Sequence, residues 1–82
     1  MMKPIRVMVE EIYIPVKLRG TLDTAKAETL AESILEEGLR SPISIRPDKG
    51  RYVLVSGLHR LEAVRMLGET AIDAYVVSAR KF

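Results

Sequence analysis

The segment from Ser56 to Ala63 constrains the fold of this chain more than any other stretch. It follows the short apolar run of residues 52–55, and it opens a stretch in which apolar side chains recur at helical spacing. Gly57 supplies the backbone freedom that a sharp turn between a strand and a helix needs. The sequence therefore predicts a strand, a turn at Gly57, and a helix that runs from Leu58 to Leu67 and stops at Gly68.

The first turn of this helix has the residues of an anion-binding site. The early N–H groups of a helix have no partner within it, and the helix dipole is positive there. Arg60 is a cation at the unfavourable end of that dipole. A phosphate held between the N–H groups, His59 and Arg60 would remove the conflict.

A second interpretation of the same residues stays open. His59 could be a solvated or capping residue, which is common in a first helical turn. Arg60 could then pair with a carboxylate inside the chain, because a buried arginine without a partner is costly. The candidates for that carboxylate are Glu10, Glu11 and Asp73.

Composition places the chain among small folded proteins. Its 82 residues are 48% hydrophobic, and we expect one domain over residues 1–82. No apolar run reaches the roughly 18 residues of a membrane span, and residues 1–6 lack the pattern of a signal peptide. We therefore expect a cytoplasmic protein without a membrane partner. The absence of cysteine excludes disulfides and a thiol nucleophile.

The charge pattern predicts no metal site. Thirteen basic and eleven acidic residues give a net charge of +2, an excess too small to indicate nucleic-acid binding by itself. The acidic row Glu28, Glu32 and Glu36 repeats at helical spacing. We interpret this row as the solvated face of a helix rather than as a set of metal ligands.

The order of elements predicts an α+β fold with a small mixed sheet of about four or five strands and two main helices. The first helix is expected to begin at Asp23 or Thr24 and to end at Gly38, with Leu39 folding back onto Ile34. Its apolar stripe consists of Ala27, Leu30, Ala31, Ile34 and Leu35. The expected strands are residues 5–9, 12–14, 43–46, 51–55 and 71–77, with a basic loop at 17–21 and a turn at 47–50.

Taken in order along the chain, these motifs resemble the ParB-like N-terminal domain, also called the ParB/sulfiredoxin fold. The resemblance covers residues 9–77 without interruption, and each motif has the spacing found in the family. The matching residues are Ile14-Pro15, a basic loop with Arg19, Leu30-Ala31, Ser33-Ile34, Gly38, Pro42-Ile43, Gly57, Arg60 and Ala63.

The resemblance implies a nucleotide site. In partition proteins of this family, the segment that matches Gly57, Arg60 and Ala63 binds the phosphates of CTP, and the loop that matches residues 38–42 frames the nucleotide. In sulfiredoxins the matching turn reads Gly-Cys-His-Arg and holds ATP phosphates, whereas Leu58 takes the place of the catalytic cysteine here. Sulfiredoxin activity is therefore disfavoured. The resemblance implies a site that binds phosphate or nucleotide through Ser56, Gly57, Leu58, His59 and Arg60, with Arg19, Arg40 and Ser41 at its mouth.

The resemblance also suggests what such a module does. It implies a stand-alone domain, without a helix-turn-helix domain, that binds CTP, or ATP or ADP with magnesium, and acts in plasmid or chromosome partition or in transcriptional regulation. The expected partners are a nucleotide or another phosphate ligand, DNA bound directly or through a partner protein, and a second copy of the chain in a homodimer. One departure is His59, where chromosome partition proteins usually carry a second arginine.

Two alternatives remain at this stage, and a binding protein is favoured over an enzyme. The first is a small phosphotransferase related to free-serine kinases, which needs a carboxylate base near the acceptor hydroxyl. Glu10, Glu11 and Glu37 are the candidates for that base. The second is a non-catalytic DNA- or protein-binding module that uses no nucleotide.

Overall fold

The computed structural model describes residues 3–38 and 41–77 and confirms the predicted α+β class. Within these residues no helix is both long and apolar enough to cross a membrane. Five strands and three helices follow one another in the described part of the chain, with a short 3-10 helix at Val9–Glu11 between the first two strands. The strands are β1 (Ile5–Met8), β2 (Ile12–Tyr13), β3 (Ile43–Asp48), β4 (Arg51–Ser56) and β5 (Ala71–Val76), and the helices are α1 (Val16–Arg19), α2 (Thr24–Glu37) and α3 (Leu58–Met66).

The five strands form one mixed sheet in the order β1-β5-β3-β4-β2. β1 pairs with β5 and β3 pairs with β4 in antiparallel fashion, whereas β5 with β3 and β4 with β2 are parallel pairs. The hairpin between β3 and β4 turns at Lys49 and Gly50, which both have positive φ, as a tight two-residue hairpin requires. β3 therefore occupies the centre of the sheet, and β4, which leads into α3, lies beside it.

α3 is the helix that closes the core. Its Leu58, Leu61 and Val64 are buried in one apolar cluster with the central strand residues Ile43 and Ile45. α2 packs against α3, and its buried residues are the small side chains Ala27 and Ala31. Since small side chains let two helices approach closely, α2 lies alongside α3 and brings its polar flank close to the beginning of that helix.

Several local predictions are wrong or fall outside the described residues. The predicted basic loop at 17–21 begins instead with the one-turn helix α1, and β3 extends through Pro47, which was expected in the turn. Leu35 is 74% exposed and does not belong to the buried stripe of α2. Gly38 ends α2 with a positive φ, as expected, but Leu39 lies outside the residues that the structure describes.

Gly57 is fixed by two independent constraints. Its φ of +103° lies in the region that L side chains rarely adopt. A Cβ at this position would also lie 2.6 Å from the Cγ2 atom of Ile43, a fully buried residue of the central strand. The glycine therefore allows the backbone of the β4–α3 turn to lie directly on β3, which sets where α3 begins.

We predict that Gly57→Ala destabilises the fold by about 3 kcal/mol, because it adds a clash in the core to the backbone strain of a positive φ. Gly68→Ala is the matched control, since Gly68 also has a positive φ (+79°) but has no atom within 4 Å of the added Cβ. We expect about 1–2 kcal/mol for the control. Urea unfolding measures both; equal losses would show that the contact with Ile43 costs nothing.

Candidate functional site

The N-terminus of α3 has no side-chain cap. Gly57 occupies the N-cap position, and the first turn holds no acidic residue. The first intrahelical bond runs from the Leu61 N–H to the Gly57 carbonyl oxygen (2.9 Å). Within residues 3–38 and 41–77, the N–H groups of Leu58, His59 and Arg60 have no acceptor. Three adjacent donors at the positive end of the helix dipole are therefore available to an anion.

His59 connects this helix end to the beginning of α2. The backbone N–H of Asp23 donates a hydrogen bond of 3.0 Å to His59 Nε2. Asp23 is also the N-cap of α2, because its carboxylate accepts from the Lys26 N–H at 3.3 Å. One residue therefore caps α2 with its side chain and holds the His59 ring with its backbone, so the N-termini of α2 and α3 lie close to each other.

A groove lies beside His59 along α2. It has a volume of about 550 Å³ and is lined by Ala25, Lys26, Thr29, Leu30, Ser33 and His59. Lys26, Thr29 and Ser33 follow the spacing i, i+3 and i+7, which places them on one face of the helix. An ammonium group, two hydroxyls and an imidazole line the groove, and no carboxylate does. These polar groups suit an anion with several oxygen atoms, whereas Ala25 and Leu30 contribute to a lining that is mostly apolar.

Arg60 is half-buried beside His59 in the sequence. In the part of the chain that the structure describes, it forms no hydrogen bond or ion pair, and none of the three carboxylates considered from the sequence pairs with it. Asp73 pairs instead with Arg6 at 3.2 Å, and Glu10 and Glu11 are exposed. The interpretation in which Arg60 serves an internal ion pair is therefore wrong for these three partners.

The structure does not bring all of the predicted site residues together. Ser56 is exposed at the end of β4, and Ser41 is exposed before β3. Neither lines the groove beside His59. Arg40 lies outside the described residues.

Arg19 lies in a different cavity from His59. This second cavity, of about 730 Å³, is lined by residues of β2, α3 and the β3–β4 hairpin, among them Tyr13, Arg51 and Leu58. Arg19 Nε donates to the Ile14 carbonyl oxygen at 2.9 Å, and the Arg51 guanidinium carbon lies 4.1 Å from the centre of the Tyr13 ring. The prediction that Arg19 shares the mouth of the His59 site is therefore not supported by the geometry. Leu58 lines this second cavity and not the groove beside His59.

Sequence reasoning missed Lys26, Thr29 and Ser33. All three are exposed on α2, and Glu28, Glu32 and Glu36 are exposed as predicted. The signal available in the sequence was a lysine and two hydroxyl residues that recur at i, i+3 and i+7. Only the packing of α2 on α3 shows that this face lies next to His59.

Comparison with known proteins identifies relatives of this chain. The family model of the ParB N-terminal domain matches residues 3–81. A nucleoid occlusion protein of Halalkalibacterium halodurans is 33% identical over 73 residues, which are 89% of this chain and 25% of that protein. A probable chromosome-partitioning protein ParB of Campylobacter jejuni is 36% identical over 62 residues, which are 76% of this chain and 22% of that protein. The chain thus spans about a quarter of the length of these relatives.

Solved structures share the fold. A sulfiredoxin of Arabidopsis thaliana superposes with a TM-score of 0.82 at 30% identity, covering 94% of this chain and 86% of that chain. A C-terminally truncated ParB of Caulobacter crescentus, complexed with CTP-γ-S, gives 0.80 at 26% identity, covering 96% and 46%. A free serine kinase in complex with AMP gives 0.76 at 17% identity, covering 94% and 32%, which shows the fold alone. The predicted ParB/sulfiredoxin-like fold is thereby confirmed.

We predict that Asp23→Ala lowers the free energy of unfolding by about 1 kcal/mol, because α2 loses its N-cap while the backbone N–H that bonds His59 remains. Asp73→Ala is the control, since its exposed ion pair with Arg6 is worth less than about 1 kcal/mol. Chemical denaturation compares the two variants. A smaller loss for Asp23→Ala than for Asp73→Ala would contradict the capping role of Asp23.

Proposed function

Because this chain belongs to the ParB N-terminal domain family, we propose that it is a nucleotide-binding module that holds phosphates at the N-terminus of α3. The observation that supports this most strongly is the uncapped first turn of α3 beside a groove whose polar lining comes from Lys26, Thr29, Ser33 and His59. In this proposal the N–H groups of Leu58, His59 and Arg60 bind phosphate oxygens, as helix N-termini do in other anion sites.

In this proposal the side chains around the first turn of α3 make the remaining contacts with the ligand. Arg60 adds a charged donor that pairs with no acid within residues 3–38 and 41–77, and Lys26 adds a second cation from α2. Thr29 and Ser33 can donate to or accept from phosphate or sugar hydroxyl oxygens. These groups suit the phosphates of a nucleoside di- or triphosphate, and CTP, ATP and ADP are the candidates.

In this proposal Mg²⁺ enters the site already bound to the phosphates of the nucleotide. Mg²⁺ is commonly held by one or two carboxylates together with substrate phosphates and water. Residues 3–38 and 41–77 contain no group of three or more histidine, aspartate or glutamate side chains placed to hold a metal ion. The nucleotide itself is the proposed carrier of the ion, because its phosphates supply oxygen ligands for Mg²⁺.

The biological role proposed here follows the relatives. Proteins named for nucleoid occlusion and chromosome partition share this domain, and a partition protein of the same fold is complexed with CTP-γ-S. We propose that the chain serves plasmid or chromosome partition in the cytoplasm, with transcriptional regulation as the other role considered. In either role it would act on DNA directly or through a partner protein, and nucleotide binding would promote a homodimer.

A phosphotransferase of the free-serine-kinase type is supported less well. Glu10 and Glu11 line the second cavity with Tyr13, whereas His59 lines the groove along α2. Glu37 is exposed at the last turn of α2. A base must lie within hydrogen-bond reach of the acceptor hydroxyl beside the phosphates, and the placement of these carboxylates favours binding over transfer.

We predict that Arg60→Ala weakens the binding of CTP, ATP or ADP by at least about tenfold, since a hydrogen bond to a charged group contributes about 1.5–3 kcal/mol. The fold should remain intact. Arg65→Ala is the matched control, because Arg65 lies on the same helix but pairs with Glu62 (3.7 Å) and lines the second cavity. Isothermal titration with each nucleotide, with and without magnesium, measures the effect.

Three outcomes of this titration separate the hypotheses. Loss of affinity in Arg60→Ala with parental affinity in Arg65→Ala supports the site at α3. Equal affinity in both variants and the parent contradicts the role of Arg60. If no nucleotide binds and the chain binds DNA with a steep salt dependence, the nucleotide-free binding module is the better description.

The proposed dimer has its own test. Sedimentation velocity with and without the tightest-binding nucleotide should show a shift from monomer to dimer on addition of ligand. The Arg60→Ala variant should shift only at a correspondingly higher nucleotide concentration. A sedimentation coefficient that does not change at saturating nucleotide would contradict ligand-driven dimerisation.

A further inference from the structure

His59 is the single histidine of the chain, and the structure gives its ring a defined hydrogen-bonding state. We propose that the backbone N–H of Asp23 is a positioning group that fixes the tautomer of His59, so that the neutral ring presents Nδ1–H to a phosphate. This inference rests on the proposed function and adds which nitrogen of His59 carries the proton that is donated. The inference makes the Asp23 backbone part of the site, although the Asp23 carboxylate caps α2.

The two ring nitrogens of His59 have different hydrogen-bonding roles. A neutral imidazole carries one N–H donor and one acceptor nitrogen. A backbone amide can only donate, and the Asp23 N–H lies 3.0 Å from His59 Nε2. Nε2 must therefore be the acceptor, which places the proton on Nδ1. Nδ1 has no hydrogen-bond partner among residues 3–38 and 41–77, so this donor is available.

The groups around the His59 ring favour a neutral ring that donates from Nδ1. Lys26 lines the same groove, which therefore already has a cation, and Arg60 lies in the first turn of α3. The Asp23 carboxylate is engaged by the Lys26 N–H at the α2 cap. A neutral His59 can keep its bond to Asp23 and donate to a phosphate at the same time. An imidazolium would have no acceptor nitrogen and would lose the bond that joins the two helices.

Two substitutions separate the donor from the link between the helices. In His59→Gln the side-chain carbonyl oxygen can replace Nε2 as the acceptor for the Asp23 N–H, but nothing replaces the Nδ1–H donor. In His59→Asn the shorter amide can place a donor near the Nδ1 position but cannot reach Asp23. Gln is therefore the variant expected to keep the structure and lose the ligand contact.

For His59→Gln we expect parental urea stability and retained protection of the Asp23 amide against hydrogen exchange, together with a loss of about tenfold in CTP affinity. For His59→Asn we expect a less protected Asp23 amide and lower stability. A purely structural histidine predicts a different result, in which His59→Gln binds CTP as tightly as the parent. That result would overturn the donor role.

The tautomer is measured directly by ¹⁵N-detected correlation spectra of the single imidazole near neutral pH. We expect Nδ1 to be protonated in the free protein, and its resonance to shift on addition of CTP or inorganic phosphate while Nε2 remains unprotonated. A ring protonated on Nε2 in the free protein, or on both nitrogens in the complex, would overturn the inference even if CTP binds. If Nδ1 is protonated but neither CTP nor phosphate binds, the proposed function fails and the donor role fails with it.

Discussion

The contact between Gly57 and Ile43 is the constraint on which the rest of the site depends. A side chain at residue 57 would clash with a fully buried residue of the central strand, so the turn can lie on the sheet only as glycine. The same glycine cannot cap α3 with a side chain, and the next three N–H groups are left without an acceptor in the described part of the chain. Close packing and three available N–H donors are thus two consequences of one residue.

The second requirement is that the N-terminus of α2 lies near that of α3. Small buried side chains on α2 permit the close contact of the two helices, and the hydrogen bond from Asp23 to His59 connects their first turns. Two helix ends of the same polarity repel each other weakly, and Asp23 offsets this by capping one of them. The end of α3 keeps its positive field, and Lys26 and Arg60 add to it. A polyanionic ligand is the partner that such a field selects.

The parts of this structure that depend on local chemistry could be predicted from the sequence. The turn at Gly57, the start of α3 at Leu58 and the α+β class follow from glycine and periodicity and are present, while α3 ends at Met66, one residue before the predicted Leu67. Local rules could not place Lys26, Thr29 and Ser33 near His59, because that depends on which side of α2 packs on α3. For the same reason Arg19 was expected at the mouth of the site, whereas its bond to the Ile14 carbonyl oxygen holds it in the cavity of Tyr13.

The central claim is that phosphate oxygens bind the free N–H groups at the start of α3. A crystal structure of the protein grown with CTP-γ-S and magnesium tests it most directly. The account predicts phosphate oxygens within hydrogen-bond distance of the N–H groups of Leu58, His59 and Arg60, with the rest of the nucleotide along the groove of Lys26, Thr29 and Ser33. Nucleotide bound in the cavity of Tyr13 and Arg51, with the α3 N-terminus left to solvent, would contradict it.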